Sequence, residues 1–332
     1  MDIAVNTTPY IEILEGPAIP DVMIITTVVI SAIVTCIGAV GNTLVIAAII
    51  LHKKLRSVHN VFIINLAVAD LIVNLIVAPF AIVGAITKGS FFHELEWLCE
   101  FLGTVTIMSC GTSICSIVSI AVERYVFICH NDKHATFYNR VSIPFLVAVN
   151  WMYPFLVDMP NYEFVGWGGH HFDSVILICS WNIHRSYQTG YIWFFYVCAG
   201  FPVTILCFCY VRVHVFVRKA RLPKSSNSVK PADKRLFKII LVVLIVFSSM
   251  WAPYLVTVIL SEVISIPAWI LFLSGYMVWA NSSINFMIYG FSKDFRDGYT
   301  IVKNTIKTGH IARLPWILTQ HGGSVNNSNR DV

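Results

Sequence analysis

Residues 99–125 read CEFLGTVTIMSCGTSICSIVSIAVERY, an apolar stretch with a cysteine at one end and Glu123-Arg124-Tyr125 at the other. Coiled as a helix, Cys99 to Arg124 rises roughly 38 Å at about 1.5 Å per residue, enough to cross a bilayer and its interfaces. A charge near hydrocarbon is costly, so the placement of Arg124 needs a reason. On these residues alone two readings stand. One is a functional acid–arginine pair; the other is an ordinary arginine extending its charge toward lipid headgroups.

The rest of the chain has the same character. Of its 332 residues, 57% are hydrophobic and 12% charged, and mean hydropathy is positive. That composition excludes an ordinary soluble domain and indicates a polytopic membrane protein. Apolar stretches long enough to span occur at about 23–51, 59–85, 97–128, 140–159, 187–217, 236–261 and 267–291. Backbone polar groups in lipid need internal partners, and stretches of this length meet that need as helices. The expected fold is an all-α membrane protein, a seven-transmembrane helix bundle. It divides the chain into an extracellular N-terminus (1–22), the bundle (23–291), an amphipathic membrane-surface helix (292–308) and a cytoplasmic tail (309–332).

Lysine and arginine set the orientation. With the N-terminus outside, 21 of the 23 basic residues fall on the cytoplasmic side, Lys88 and Arg185 being the exceptions. The net charge of +5 then belongs to loops facing an anionic leaflet and not to a nucleic-acid surface. Residues 1–22 carry neither a basic n-region nor an apolar h-region, so the first span is expected to direct insertion itself. Asn6-Thr7-Thr8 is a glycosylation acceptor on the outer side. Of nine cysteines, only Cys99 and Cys179 lie at the oxidising face in this topology, which predicts a disulfide between them.

Polar groups inside the spans are few. Asp70 lies mid-span, with Asn42, Ser109, Ser113, Asn281, Ser282 and Asn285 at matching depth. This set reads either as a sodium site, with Asp70, Ser113, Asn281 and Ser282 as ligands, or as a purely structural network. In the sixth span Pro253 removes a backbone hydrogen bond beside Trp251 and creates a hinge. Pro231-Ala232-Asp233 reads as the start of that helix, placing Asp233 level with Arg124. Asp233 is either a resting partner of Arg124 or a helix-dipole acid. Past Gly290, Phe295, Tyr299, Val302 and Ile306 recur at helical spacing among basic residues, the pattern of a helix lying on the membrane surface.

Taken in order, these motifs resemble a rhodopsin-like (class A) G-protein-coupled receptor over roughly residues 25–306. The matching residues are Gly41-Asn42, Leu66-Ala67-Val68-Ala69-Asp70, Cys99, Glu123-Arg124-Tyr125, Trp151 and Cys179. They continue with Pro202, Tyr210, Phe247, Trp251-Ala252-Pro253, Asn281 and Asn285-Phe286-Met287-Ile288-Tyr289. The resemblance implies a plasma-membrane protein, not an enzyme, that works with a heterotrimeric G protein, arrestin and receptor kinases. It further implies that Arg124, freed from Glu123 and Asp233, engages the G protein as the sixth span swings outward. Ile114, Pro202 and Phe247 would form the packing switch, with Tyr125, Tyr210, Asn285 and Tyr289 as further switch residues.

Within that class the chain is most similar to melatonin receptors, through Tyr125-Val126-Phe127-Ile128-Cys129-His130, Lys230-Pro231-Ala232-Asp233, Ile266-Pro267-Ala268-Trp269 and Ile288-Tyr289-Gly290. The likeness implies an inhibitory G protein, Asn161 as hydrogen-bond donor to a ligand's alkoxy group, and Trp181 stacked on an indole. The chain departs from the family at Ile183 for a loop glutamine, Cys198 for a histidine, Glu123 for an asparagine and Phe286 for a small residue.

The expected ligand pocket is Thr106, Ser109, Asn161, Trp181, Cys198, Trp251, Tyr254, Tyr276 and Trp279. Aromatics with a few neutral polar groups suit a flat, neutral, lipophilic molecule such as a melatonin-like indoleamide. The aspartate of amine receptors would fall at Thr106 and the lysine of opsins near Trp279, which disfavours both chemistries. Glu100 and Asp158 near the outer rim leave a cationic ligand or a basic peptide as the alternative. Adjacent His170 and His171 invite a zinc reading but lack a third ligand at known spacing. A transporter would show related halves. A hydrolase would need a nucleophile and base at matched depth, and no such pair is evident.

Overall fold

In hydrocarbon a broken backbone hydrogen bond has no water to turn to, and this chain answers with helix almost throughout. The computed structural model describes residues 19–162, 165–219, 231–261 and 264–308, without the side chains of 183, 184, 187, 219, 231–240 and 244. Asn6, the loop 220–230, the tail beyond 308 and the side chains of Ile183 and Asp233 therefore lie outside the described residues. The spans are Asp21–Leu51, Val58–Thr87, Glu96–Cys129, Ser142–Asp158, Tyr191–Lys219, Pro231–Leu260 and a seventh in two pieces, Ala268–Asn281 and Asn285–Tyr289. Large apolar side chains such as Ile33, Phe145, Val197 and Phe201 point outward, where a soluble protein would carry charge.

Span 3 is the hub. It packs against spans 2, 4, 5 and 6 and against an antiparallel hairpin, β1 (His170–Asp173) and β2 (Ile178–Trp181), which precedes span 5. Span 1 closes the ring against spans 2 and 7. Among the described residues the two larger apolar cores lie under the hairpin and at the Arg124 end, Trp251 packs against both, and a small third one surrounds Cys99 and Cys179. The surface helix Lys293–Lys307 turns Phe295 and Val302 into the second core, while Ile306, expected on the same face, is exposed.

The spans follow the hydropathy reading in number and order, but span 6 starts at Pro231 and not near 236, and other details differ. Span 5 starts at Tyr191 and not near 187, because Ile183–Thr189 forms a separate short helix ended by Gly190 at φ +80°. A π-helical turn, Val73–Val77, lies in span 2 just before Pro79. Span 7 opens at 282–284, where the Ser282 carbonyl accepts from Asn42 Nδ2 at 2.9 Å and Asn74 Nδ2 at 3.3 Å. Beyond span 3, the helix Asn131–Phe137, which hydropathy could not show, lines the Arg124 end.

Two prolines free carbonyls that neighbouring spans satisfy. Pro154 leaves Asn150 C=O without its helical donor, and Thr112 Oγ1 of span 3 donates to it at 3.1 Å. Pro202 does the same to Cys198 C=O, and Tyr153 OH of span 4 donates at 2.8 Å. Each proline bend is thereby fixed by a cross-span bond.

Phe286, larger than the residue the resemblance leads one to expect, fits because span 1 gives up a side chain. A Cβ on Gly41 would sit 2.1 Å from the Phe286 ring, and one on Gly38 would sit 2.3 Å from Ser283 Oγ. Small residues at helix contacts let backbones approach closely in lipid. Gly41→Leu is expected to lower the melting temperature of the purified protein, since overpacking of this kind costs about 1–3 kcal/mol. Gly41→Leu combined with Phe286→Ala is expected to recover most of that loss. A single variant as stable as the parent would show that this contact does not constrain the fold.

Candidate functional site

The disulfide Cys99–Cys179 ties β2 to the top of span 3 and makes the hairpin a roof over the bundle. Beneath it lies a small cavity of about 50 Å³, lined by Thr106 and Cys110 of span 3, Trp181 of β2, Trp251 and Tyr254 of span 6 and Trp279 of span 7. Its walls hold no Asp, Glu, Lys or Arg. Trp181 stands edge-on to Phe195 with centroids 4.3 Å apart. The Trp181 indole N–H, the Tyr276 hydroxyl and the Ser109 hydroxyl are buried with no hydrogen-bond partner among the described residues. Such groups are costly to leave unmet; of these three Trp181 lines the cavity, and its indole N–H is the donor a ligand there could use.

A second, larger cavity of about 280 Å³ lies deeper, between spans 3, 4, 5 and 6. Ile107, Cys110, Phe195, Trp251 and Leu255 line both. Of the nine residues expected at a ligand, Thr106, Trp181, Trp251, Tyr254 and Trp279 line the upper cavity, and Cys198 lines the lower. Ser109, Asn161 and Tyr276 line neither.

Asn161 is placed differently from the expectation. It is fully buried, its Oδ1 accepts the Gly169 N–H at 3.0 Å, and its Nδ2 lies 3.1 Å from His170 Nε2. His170 Nε2 is 3.4 Å from Asp158 Oδ1, and Tyr191 OH donates to the same oxygen at 3.4 Å. This cluster pins the hairpin base to spans 4 and 5, so the Asn161 amide is committed to structure. Asp158, expected at an accessible rim, is fully buried within it and offers no surface to a cation. The two histidines also part company. Successive strand residues point to opposite faces, which puts His170 inside and His171 outside. Among the described residues no cluster of His, Cys, Asp and Glu could hold a metal ion.

Below the cavities Asp70 is fully buried and accepts from Ser113 Oγ at 3.1 Å and Asn285 Nδ2 at 2.8 Å. Asn74 bridges the Asp70 and Ser282 carbonyls, and Ser283 Oγ donates to Asn74 Oδ1 at 2.8 Å. Asn281 Oδ1 and Asn285 Oδ1 find no partner among the described residues. The network joins spans 1, 2, 3 and 7 at the break in span 7.

The acid–arginine pair is inside the protein. Glu123 is 0% and Arg124 5% exposed. Arg124 Nε donates to Glu123 Oε2 at 2.5 Å and Nη2 donates to Glu123 Oε1 at 2.7 Å, a bidentate clamp between neighbours. Nη2 is also 2.8 Å from His59 Nδ1. Arginine only donates, so that nitrogen accepts and His59 is neutral there. His134 Nε2, from the helix Asn131–Phe137, meets Glu123 Oε1 at 2.8 Å, and the guanidinium lies 4.8 Å over the Phe127 ring. Tyr138 stacks on His134; burial, reinforced by the Glu123 carboxylate, pushes its phenol above the ordinary value, so it stays uncharged.

Sequence reasoning missed His59 and His134. The available signal was two histidines at the ends of segments level with Arg124. Asp233 lies in the first turn of the sixth span, but its side chain falls outside the described residues, so no pairing with Arg124 is described. Higher in the bundle, Ile114, Pro202 and Phe247 share the wall of the lower cavity with Trp251, whose ring stacks on Phe247 at 5.7 Å. Tyr289 is buried against Phe295 at 5.2 Å, and Tyr125 OH lies 3.0 Å from His130 Nε2. Tyr210 is partly buried on span 5.

The arrangement converges with known proteins. Residues 41–289 match the family described as 7 transmembrane receptor (rhodopsin family). The sheep (Ovis aries) melatonin receptor type 1A is 30% identical over 275 residues, covering 79% of this chain and 73% of the relative. The human melatonin receptor type 1B is 30% identical over 296 residues, covering 86% and 77%. Squid rhodopsin superposes with a TM-score of 0.77 at 22% identity, over 93% of each chain, and shares the fold. The chain therefore belongs to the rhodopsin family of seven-transmembrane receptors, as a relative of the melatonin receptors and not an enzyme.

Proposed function

We propose that this receptor sits in the plasma membrane with its N-terminus outside and takes a neutral, flat, lipophilic molecule in the upper cavity. Binding would activate an inhibitory heterotrimeric G protein at the Arg124 end. The observation that carries this reading is an aromatic cavity without charged walls, sharing Trp251 with the output core. The unmet indole N–H of Trp181 supplies a hydrogen bond to a carbonyl or ether oxygen, and the names of the relatives make an indoleamide a candidate. The upper cavity is narrow, at about 50 Å³, and Trp251 and the hairpin are the walls a ligand would displace to widen it. That displacement would give the ligand a preference between states, the requirement for a population shift. Arrestin and receptor kinases would act at the same inner face.

Nucleotide exchange by an inhibitory G protein, measured with receptor in nanodiscs, tests this. Neutral indoleamides are expected to accelerate exchange where cationic amines and basic peptides do not, and Trp181→Ala is expected to raise the half-maximal concentration at least ten-fold. Activation by amines or peptides alone, or an unchanged potency in Trp181→Ala, contradicts the ligand assignment. Exchange on another G-protein class alone contradicts the coupling assignment.

Asp70, Ser113, Asn281 and Ser282 are further proposed to hold a sodium ion. The fit rests on a carboxylate facing donors from spans 3 and 7 and on the unmet Asn281 and Asn285 oxygens, since hard cations take oxygen ligands. Bound sodium would supply positive charge that holds spans 2, 3 and 7 in the resting arrangement. Sodium chloride is then expected to lower basal exchange relative to choline chloride, and Asp70→Asn to abolish the difference. Equal basal rates in both salts for the parent receptor contradict the site.

A further inference from the structure

The lower cavity has walls of a different kind from the upper. It measures about 280 Å³ and is bounded by Gly111, Tyr153, Pro154, Ala199, Phe247 and Leu255, with no charged side chain around it. The Tyr153 hydroxyl is already committed to the Cys198 carbonyl at 2.8 Å. Water needs two to four polar partners to reside in a cavity, and these walls do not offer them. A void of this size would forfeit the dispersion contacts of every lining atom. An apolar occupant would restore those contacts.

The mouth indicates what that occupant is. Among the lining residues, Val203 of span 5 is 42% exposed, and Ser248 and Ala252, one turn apart on span 6, are exposed as well. They flank the cleft between spans 5 and 6, where the surrounding medium is the hydrocarbon of the bilayer. The lining has one hydroxyl besides that of Tyr153, on Ser248, and it is at this mouth.

We infer that the lower cavity binds the hydrocarbon chain of a neutral single-chain lipid, admitted from the bilayer between spans 5 and 6 with its hydroxyl head near Ser248. This site lies below the upper cavity, with which it shares Ile107, Cys110, Phe195, Trp251 and Leu255, and it does not rest on the ligand proposed there. The chain would lie against Ile114, Pro202, Phe247 and Trp251 and fill the space these side chains need to repack, so occupancy favours the resting state.

The test uses the full-length receptor in nanodiscs and a long-chain fatty alcohol carrying a diazirine on its chain and a terminal alkyne. After photolysis, cross-links are mapped by peptide mass spectrometry. Labelling is expected in the peptides holding Gly111, Val157 and Ala199, saturating with probe and competed by unlabelled fatty alcohol. Ala199→Phe is expected to reduce it at least five-fold. Should that variant fold poorly, Val157→Phe, on the span 4 wall, is expected to do the same. Val197→Phe, at a 74% exposed outward position, is expected to leave it unchanged. Labelling confined to outward residues such as Val197 and Phe201, or rising without saturation, overturns the site. So does labelling undiminished in a folded cavity variant. No agonist or G protein enters the experiment, so failure of the ligand screen and failure of this site are distinguishable.

Discussion

Arg124 is a permanent charge held at 5% exposure, and the inner end of the bundle is organised around compensating it. An uncompensated buried charge is strongly destabilising, whereas a clamped and hydrogen-bonded one is tolerated. Here Glu123 grips two guanidinium nitrogens, His59 takes a third contact, and His134 shares the glutamate. The arrangement recruits span 2 and the helix after span 3, so freeing Arg124 disturbs three elements at once.

The same constraint, that polar groups in hydrocarbon must find partners inside the protein, shapes the route from cavity to switch. Proline bends in spans 4 and 5 are fixed by Thr112 and Tyr153 hydroxyls. The break in span 7 is held by Asn42 and Asn74 on the Ser282 carbonyl. Against these fixed points, Trp251 lines both cavities and belongs to both apolar cores. Pro253, two residues on, weakens the helix there. A ligand that displaces Trp251 therefore acts at the place where span 6 can pivot.

Much of this was legible in the sequence because its causes are local. Twenty-residue apolar runs give spans, and two cysteines at one face give the Cys99–Cys179 bond. The early proline of Pro231-Ala232-Asp233 gives a helix start. What escaped has causes distant in the chain. His59 meets an arginine 65 residues away, and the carbonyl at the span 7 break is satisfied from span 1, 240 residues away. Asn161 was found by position, but a position does not say which atoms a side chain already serves, and its amide serves Gly169 and His170. Asp158 looked like a rim charge until the hairpin closed over it.

The central claim is that Glu123 restrains Arg124 in the resting receptor. Its most direct measurement is agonist-free nucleotide exchange on purified G protein by receptor in nanodiscs, comparing the parent with Glu123→Gln and with Glu123→Gln combined with Arg124→Ala. Loss of the charged clamp is predicted to raise basal exchange several-fold in the single variant and to return it to background in the double. Basal exchange at the parent's level in a folded Glu123→Gln receptor would contradict the account.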